Sequence, residues 1–254
     1  MLKHTGVRRT HIHNVRLATL LSLTAGLVNG EGFLGFSVLT TNVTGHAALF
    51  AESISIKDWT ASWVIALWML LFLGGAFISS FILDIIGKNQ RYSYLIPISI
   101  EFLILLANGL FGGDFENIFF GKQIFAGSLL FAMGLQNALV SMISKSVVRT
   151  THLTGTFTDL GIELAQLKFV RKEKKAEMKA RIRLKIYIII FFIAGALFGA
   201  YAFRSLKFYS FFIPAAILIF TLLYDVFRVN AKLYYRKIEK KIKTVKPVIV
   251  TTKT

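Results

Sequence analysis

From Ala61 to Ile86 the chain runs 26 residues with a single charged side chain, Asp84. A backbone placed in hydrocarbon must pair every amide internally, and a helix of roughly 20 apolar residues spans about 30 Å while doing so. Five other segments have the same character: 17–39, 92–111, 118–143, 185–203 and 208–228. The third and sixth carry Pro97 and Pro214 near their starts, where a helix tolerates proline. The pattern predicts an all-α membrane protein with six transmembrane helices.

Charge then orients these spans. The net charge of +17 would suit nucleic acid in a soluble chain, but 55% of the residues are apolar and the basic ones are clumped. With the N-terminus inside, segments 1–16, 87–92, 144–185 and the tail from Arg228 hold 26 of the 30 Lys and Arg. This asymmetry predicts cytoplasmic termini. Nucleic acid is therefore not an expected partner; the bilayer and its anionic headgroups are. The N-terminus is basic and then apolar, like a signal peptide. Its apolar part continues past Gly32 to Leu39, which reads as a retained first span.

Two polar stretches interrupt the apolar chain in the same way. TTNVTGHAALFAES begins at Thr40 and TTHLTGTFTDLGIE at Thr150. Upstream, GLVN at 26–29 aligns with GLQN at 134–137; downstream, GGAF at 74–77 is echoed by GALF at 195–198, and Pro97 by Pro214. Three spans per copy is an odd number, so the second copy must be upside down. The expected fold is two inverted three-helix repeats, 17–111 and 118–228, in one integral membrane domain covering 1–254. A basic arm (1–16), a basic cytoplasmic insert (168–185) and a basic tail (229–254) complete it. The insert reads as a charged helix leading into the fifth span, with Glu177 four residues before Arg181.

The pairing of G-x-x-N with a following T-x-x-T-G in both halves resembles the YoaK family. These are bacterial multi-pass membrane proteins of unknown function. The resemblance covers about residues 17 to 228. It implies six spans and a location in the bacterial inner, or cell, membrane. The first copy here reads T-G-H, with His46 where the family pattern leads to Asn.

After each motif comes a segment too short to cross a bilayer, 46–54 and 156–167. Each is expected to form a re-entrant or interfacial half-helix after spans 1 and 4. In the second, Thr156 and Asp159 fit a capping box. Re-entrant copies would aim their N-terminal amides at each other, an arrangement suited to an anion or carboxylate. Thr41, Asn42, Thr44, Gly45 and His46, with Thr151, His152, Thr154 and Gly155, would then bind solute. Asn29 and Asn137, matched between the copies, would join them. The plainer alternative makes Thr44 and Thr154 surface caps and the small residues packing contacts.

Glu101 lies inside the third span and is a candidate proton carrier. Glu31 falls in the first span or near its outer third. There is no Cys, and the five His form no set of three ligands, so no metal or cofactor is expected. No nucleophile elbow, phosphate loop or dinucleotide fingerprint occurs, so an enzyme is not expected. The expected function is a small-solute transporter or channel-like permease for a small anionic or polar solute. The alternative is a scaffold or sensor whose basic face engages anionic lipid or a partner. Either is compatible with an oligomer.

Overall fold

The structure is a computed structural model, and it describes residues 11–87, 94–115, 118–144 and 149–224. The expected contributions of 1–10, Lys88, Arg91, Lys145 and the tail from residue 225 lie outside them. The helices are α1 (His11–Phe36), α2 (Val43–Ser55), α3 (Trp59–Ile86), α4 (Leu95–Phe111), α5 (Phe119–Ser144), α6 (Leu153–Gln166) and α7 (Lys172–Leu206). A 3₁₀ turn (Lys207–Phe211) leads into α8, which covers 212–224.

Within the described residues, each of the six apolar segments is largely helical. Among these residues, three continuous stretches are long and apolar enough to cross a membrane: Trp59–Ile86, Phe119–Met142 and Lys172–Tyr224. The last holds both the fifth and sixth segments, separated by a bend at Lys207, where φ is 52°. α4 is apolar but only 17 residues long. The charged insert and the fifth span form one helix, α7, which starts at Lys172 rather than at 168.

α1 stops three residues before Leu39. Ser37 adopts φ 60°, its amide donates to the Phe33 carbonyl at 2.9 Å, and the Val38 amide donates to the Gly32 carbonyl at 3.4 Å. The left-handed Ser37 with its amide on the Phe33 carbonyl is an αL ending, and it reverses the chain ahead of the first Thr-Gly motif.

The most extensive helix pairings are α1 with α7 and α3 with α5. Glycines set both. A Cβ on Gly26 would collide with the Phe192 carbonyl, and one on Gly195 with the Leu23 carbonyl. A Cβ on Gly134 would collide with the Phe72 carbonyl, and one on Gly75 with the Phe131 carbonyl. The two crossings use equivalent residues, 108 positions apart on α1 and α5 and 120 apart on α3 and α7. Gly195 therefore matches Gly75, one residue from the register of the GGAF and GALF alignment. Close backbone approach through small residues is how helices gain contact where lipid removes the hydrophobic drive.

Candidate functional site

In the first motif, Thr41 donates to the Asn29 side-chain oxygen from both its amide, at 3.3 Å, and its hydroxyl, at 2.9 Å. Asn29 lies seven residues before the end of α1. At 1.5 Å per residue, the chain has returned about 10 Å along α1 before α2 begins. Asn42 is the N-cap of α2, and its side chain accepts from the Gly45 amide at 2.9 Å. A side chain at Gly45 would strike the Asn42 amide group.

The second motif returns in the same way but through different atoms. Gln136 Nε2 donates to the Thr150 hydroxyl at 3.1 Å and to the Leu21 carbonyl at 3.0 Å. Gln136 lies eight residues before the end of α5, so this return is about 12 Å. Asn137, expected to mirror Asn29, is half-buried and its side-chain oxygen has no partner. The reason is one position upstream. Gln136 takes the place of Val28 and captures Thr150. Thr40, opposite the apolar Val28, keeps a buried hydroxyl without a partner. Gln136 and Thr150 are thus site residues that motif matching missed; a glutamine inside an apolar run was the available signal.

The capping expectations need correction. α6 starts at Leu153 with His152 as N-cap, and no His152 side-chain bond caps it. Thr156 is already inside the helix, where its hydroxyl donates to the His152 carbonyl at 2.8 Å, so Thr156 and Asp159 form no capping box. Thr44 and Thr154 are exposed first-turn residues rather than caps. Burial alternates identically along Thr41–Phe50 and Thr151–Leu160. Thr151 and Gly155 are half-buried, and His152 is exposed with its ring against Gly155.

Leu21 and Asn29 both belong to α1, eight residues or about 12 Å apart along its axis. The chain therefore brings the starts of α6 and α2 to neighbouring levels of one helix. First-turn amides at both starts lack intrahelical acceptors. Asn42 accepts one of them with its side chain and His152 accepts none.

His46 does not join this array. It is buried, edge-on to Trp68 at a ring separation of 5.6 Å. Burial holds its imidazole below the ordinary pKa, with an opposing contribution from the Asn42 backbone. It packs α2 against α3, and the equivalent position in the second copy is Thr156.

Glu101 is fully buried on α4, and its carboxylate has no hydrogen-bond partner. Glu31 on α1 is equally buried and unpartnered. Asn108, which sequence reasoning missed, donates to the Ser128 hydroxyl at 3.0 Å and ties α4 to α5. Among the described residues, no three His, Asp or Glu gather as a metal site.

On the far side of α6, Glu163 Oε1 accepts from Arg181 Nε at 3.0 Å and from Lys185 Nζ at 2.8 Å. Arg181 also reaches Glu177 at 2.8 Å, as its four-residue spacing predicts. Two cations of the basic insert are thereby used inside the protein.

A family model described as "Protein of unknown function (DUF1275)" matches residues 17–224. A Bacillus subtilis (strain 168) protein described as "UPF0700 transmembrane protein YoaK" is 27% identical over 210 residues, covering 80% of this chain and 89% of that protein. No solved structure matches. Helices over every apolar segment and a family match from 17 to 224 lead to one conclusion: this chain belongs to the DUF1275 family of multi-pass transmembrane proteins.

Proposed function

We propose that the protein is a transporter or channel-like permease of the bacterial cell membrane for a small anionic or polar solute. The observation that carries this reading is the approach of the starts of α2 and α6 along α1, one anchored near Asn29 and the other near Leu21. Polar, irregular backbone at that depth is stable where it lines a water-filled path. Helix N-termini with free amides and nearby threonine hydroxyls suit an anion or carboxylate.

The matched glycine crossings support two related three-span units. Three spans per unit make the second unit inverted, with both termini cytoplasmic and the Phe36 end of α1 outside. Transport would rock one unit against the other around the two motifs. No catalytic group or cofactor has a part in this scheme. A second reading is favoured by the exposure of Lys172, Lys174, Lys175 and Lys179 on α7. A scaffold or sensor would use that face to engage anionic lipid or a partner.

The chain has no native cysteine, so single cysteines at Val43 and Leu153 report access directly. Intact cells and inverted vesicles are treated with a membrane-impermeant thiol reagent. Labelling of both positions from both sides, with protection by a small anion, is the expected result. Labelling of Val43→Cys from one side only and of Leu153→Cys from the other only, without protection, would remove the solute path. Two inert cysteines would favour the scaffold.

A further inference from the structure

We infer that Glu31 and Ser210 form a proton-binding pair beneath an aromatic roof at the Phe36 end of the bundle. Its assignment as the coupling site of transport rests on the reading above; the proton binding itself does not. Glu31 is fully buried, and neither carboxylate oxygen has a hydrogen-bond partner. The polar group that faces it is Ser210, on the 3₁₀ turn, whose hydroxyl is also fully buried and unpartnered.

A further buried acceptor without a partner, Asn108 Oδ1, lies on α4, which packs against the same 3₁₀ turn. Gly32, next to Glu31, packs beside Leu129. Leu129 adjoins Ser128, which binds Asn108. Phe212, two residues after Ser210, packs on Gly109, so the turn and Asn108 adjoin. At the Phe36 end, Phe36 stands 5.3 Å from Phe208 and 6.4 Å from Phe211 between ring centres, and Phe203 stands 5.2 Å from Phe208. These rings close the end of the bundle.

An ionised carboxylate enclosed this way, with no donor, is strongly disfavoured. One proton resolves it. The carboxylic O–H of Glu31 donates to the Ser210 oxygen, and the Ser210 O–H is then free to donate to the second Glu31 oxygen. Glu101 on α4 is likewise buried without a hydrogen-bond partner among the described residues and serves as the control. The charged groups on the surrounding elements are Arg16 on α1, Glu101 on α4, Lys122 on α5, the charged first half of α7 from Lys172 to Lys185 together with Arg204 in its last turn, and Lys207 on the 3₁₀ turn. None of them pairs with Glu31, and the described part of α8 carries no charge. Releasing the proton leaves a bare carboxylate that needs water, which reaches it only when the Phe36, Phe208 and Phe211 rings part.

The test uses the full chain in phospholipid nanodiscs and infrared difference spectra between acidic and alkaline pH. A carboxylic C=O band that responds to pH and shifts in heavy water is expected. Glu31→Gln should remove it, Glu101→Gln should keep it, and Ser210→Ala should move it. Loss of the band in Glu101→Gln alone, or no pH-sensitive band, overturns the pair. If Glu31→Gln fails to fold, an unmoved band in Ser210→Ala overturns it instead. A cysteine at Phe208 gives the roof: thiol labelling from outside should rise several-fold with pH, and stay low when Glu31→Gln is added. Labelling that ignores pH overturns the roof's dependence on the proton. A Glu31 signal without solute movement would sink transport and keep the pair; solute movement without that signal would do the reverse.

Discussion

α2 and α6 are held to their following spans at the same position by opposite chemistry. Ser53 on α2 meets Ser62 on α3 through buried hydroxyls 2.8 Å apart. Glu163, 110 residues after Ser53, binds Arg181 and Lys185 on α7. The glycine crossings beneath them are alike. The two halves thus share their glycine packing while their polar contacts differ. Packing is constrained by backbone collisions, which allow no substitute for glycine. A surface latch needs only some favourable pair, so serine and glutamate both serve. The neutral latch is insensitive to salt, whereas an ion cluster that includes the half-exposed Arg181 is screened by it.

The largest expected effect tests the shared part. Gly26→Leu and Gly134→Leu each drive a side chain into a carbonyl of the facing helix and should cost about 3 kcal/mol or more. Thermal unfolding of purified protein should show comparable losses; one tolerant site would break the equivalence of the units. Next comes the latch. Glu163→Gln removes the carboxylate that Arg181 and Lys185 share, leaving Arg181 with Glu177 and Lys185 with the more distant Asp159, and should cost about 1–3 kcal/mol, with the penalty shrinking at high salt. Ser53→Ala should cost about 1 kcal/mol at any salt concentration. Equal salt dependence in the two variants would erase the contrast.

Gln136→Leu removes the donor to Thr150 and Leu21 and should destabilise by about 1–2 kcal/mol. Chemical denaturation in a common detergent would measure the loss, and an unchanged stability in Gln136→Leu would discredit the Gln136 assignment. Smaller still is the cap. Asn42→Ala should cost about 1 kcal/mol, while His152→Asn should stabilise α6 by up to about 1 kcal/mol by supplying the cap it lacks. Hydrogen exchange at the first turns of α2 and α6 reads both directly.

The smallest effect is in pH. His46 is held neutral by burial, so the unfolded chain binds a proton that the folded chain refuses. Stability should therefore fall as pH drops through about 6.5, by at most about 1.4 kcal/mol per unit. His46→Asn should flatten that slope. An unchanged slope would place the pH sensitivity elsewhere.

Much of the architecture was legible because hydrocarbon leaves few choices. Long apolar runs such as 61–86, with one charge in 26 residues, had to be helices, and the half-helices after spans 1 and 4 followed from Thr-Gly starts with too few apolar residues to cross. The Asn29 and Thr41 motifs do meet. In the second copy it is Gln136, not Asn137, that reaches the motif, through Thr150. His46 looked like a site residue from its position beside Gly45, yet its ring turns inward to Trp68. Glu101 stood out as a lone acid in an apolar run, while Glu31, close to the end of its span, did not. Only the fold shows that both are sealed and that Ser210 faces one of them.

By itself, then, the sequence determined a helical membrane protein of apolar spans with the same motif set twice. Backbone pairing in lipid and the length of a crossing dictate that much from composition and spacing. Tertiary structure decided which buried polar group meets which. Those meetings depend on the rotation and depth of each helix, and the glycine contacts between distant segments set both. A shift of one residue turns a side chain by about 100° around the helix, so motif spacing alone could not say whether Asn137 or Gln136 would reach the second motif.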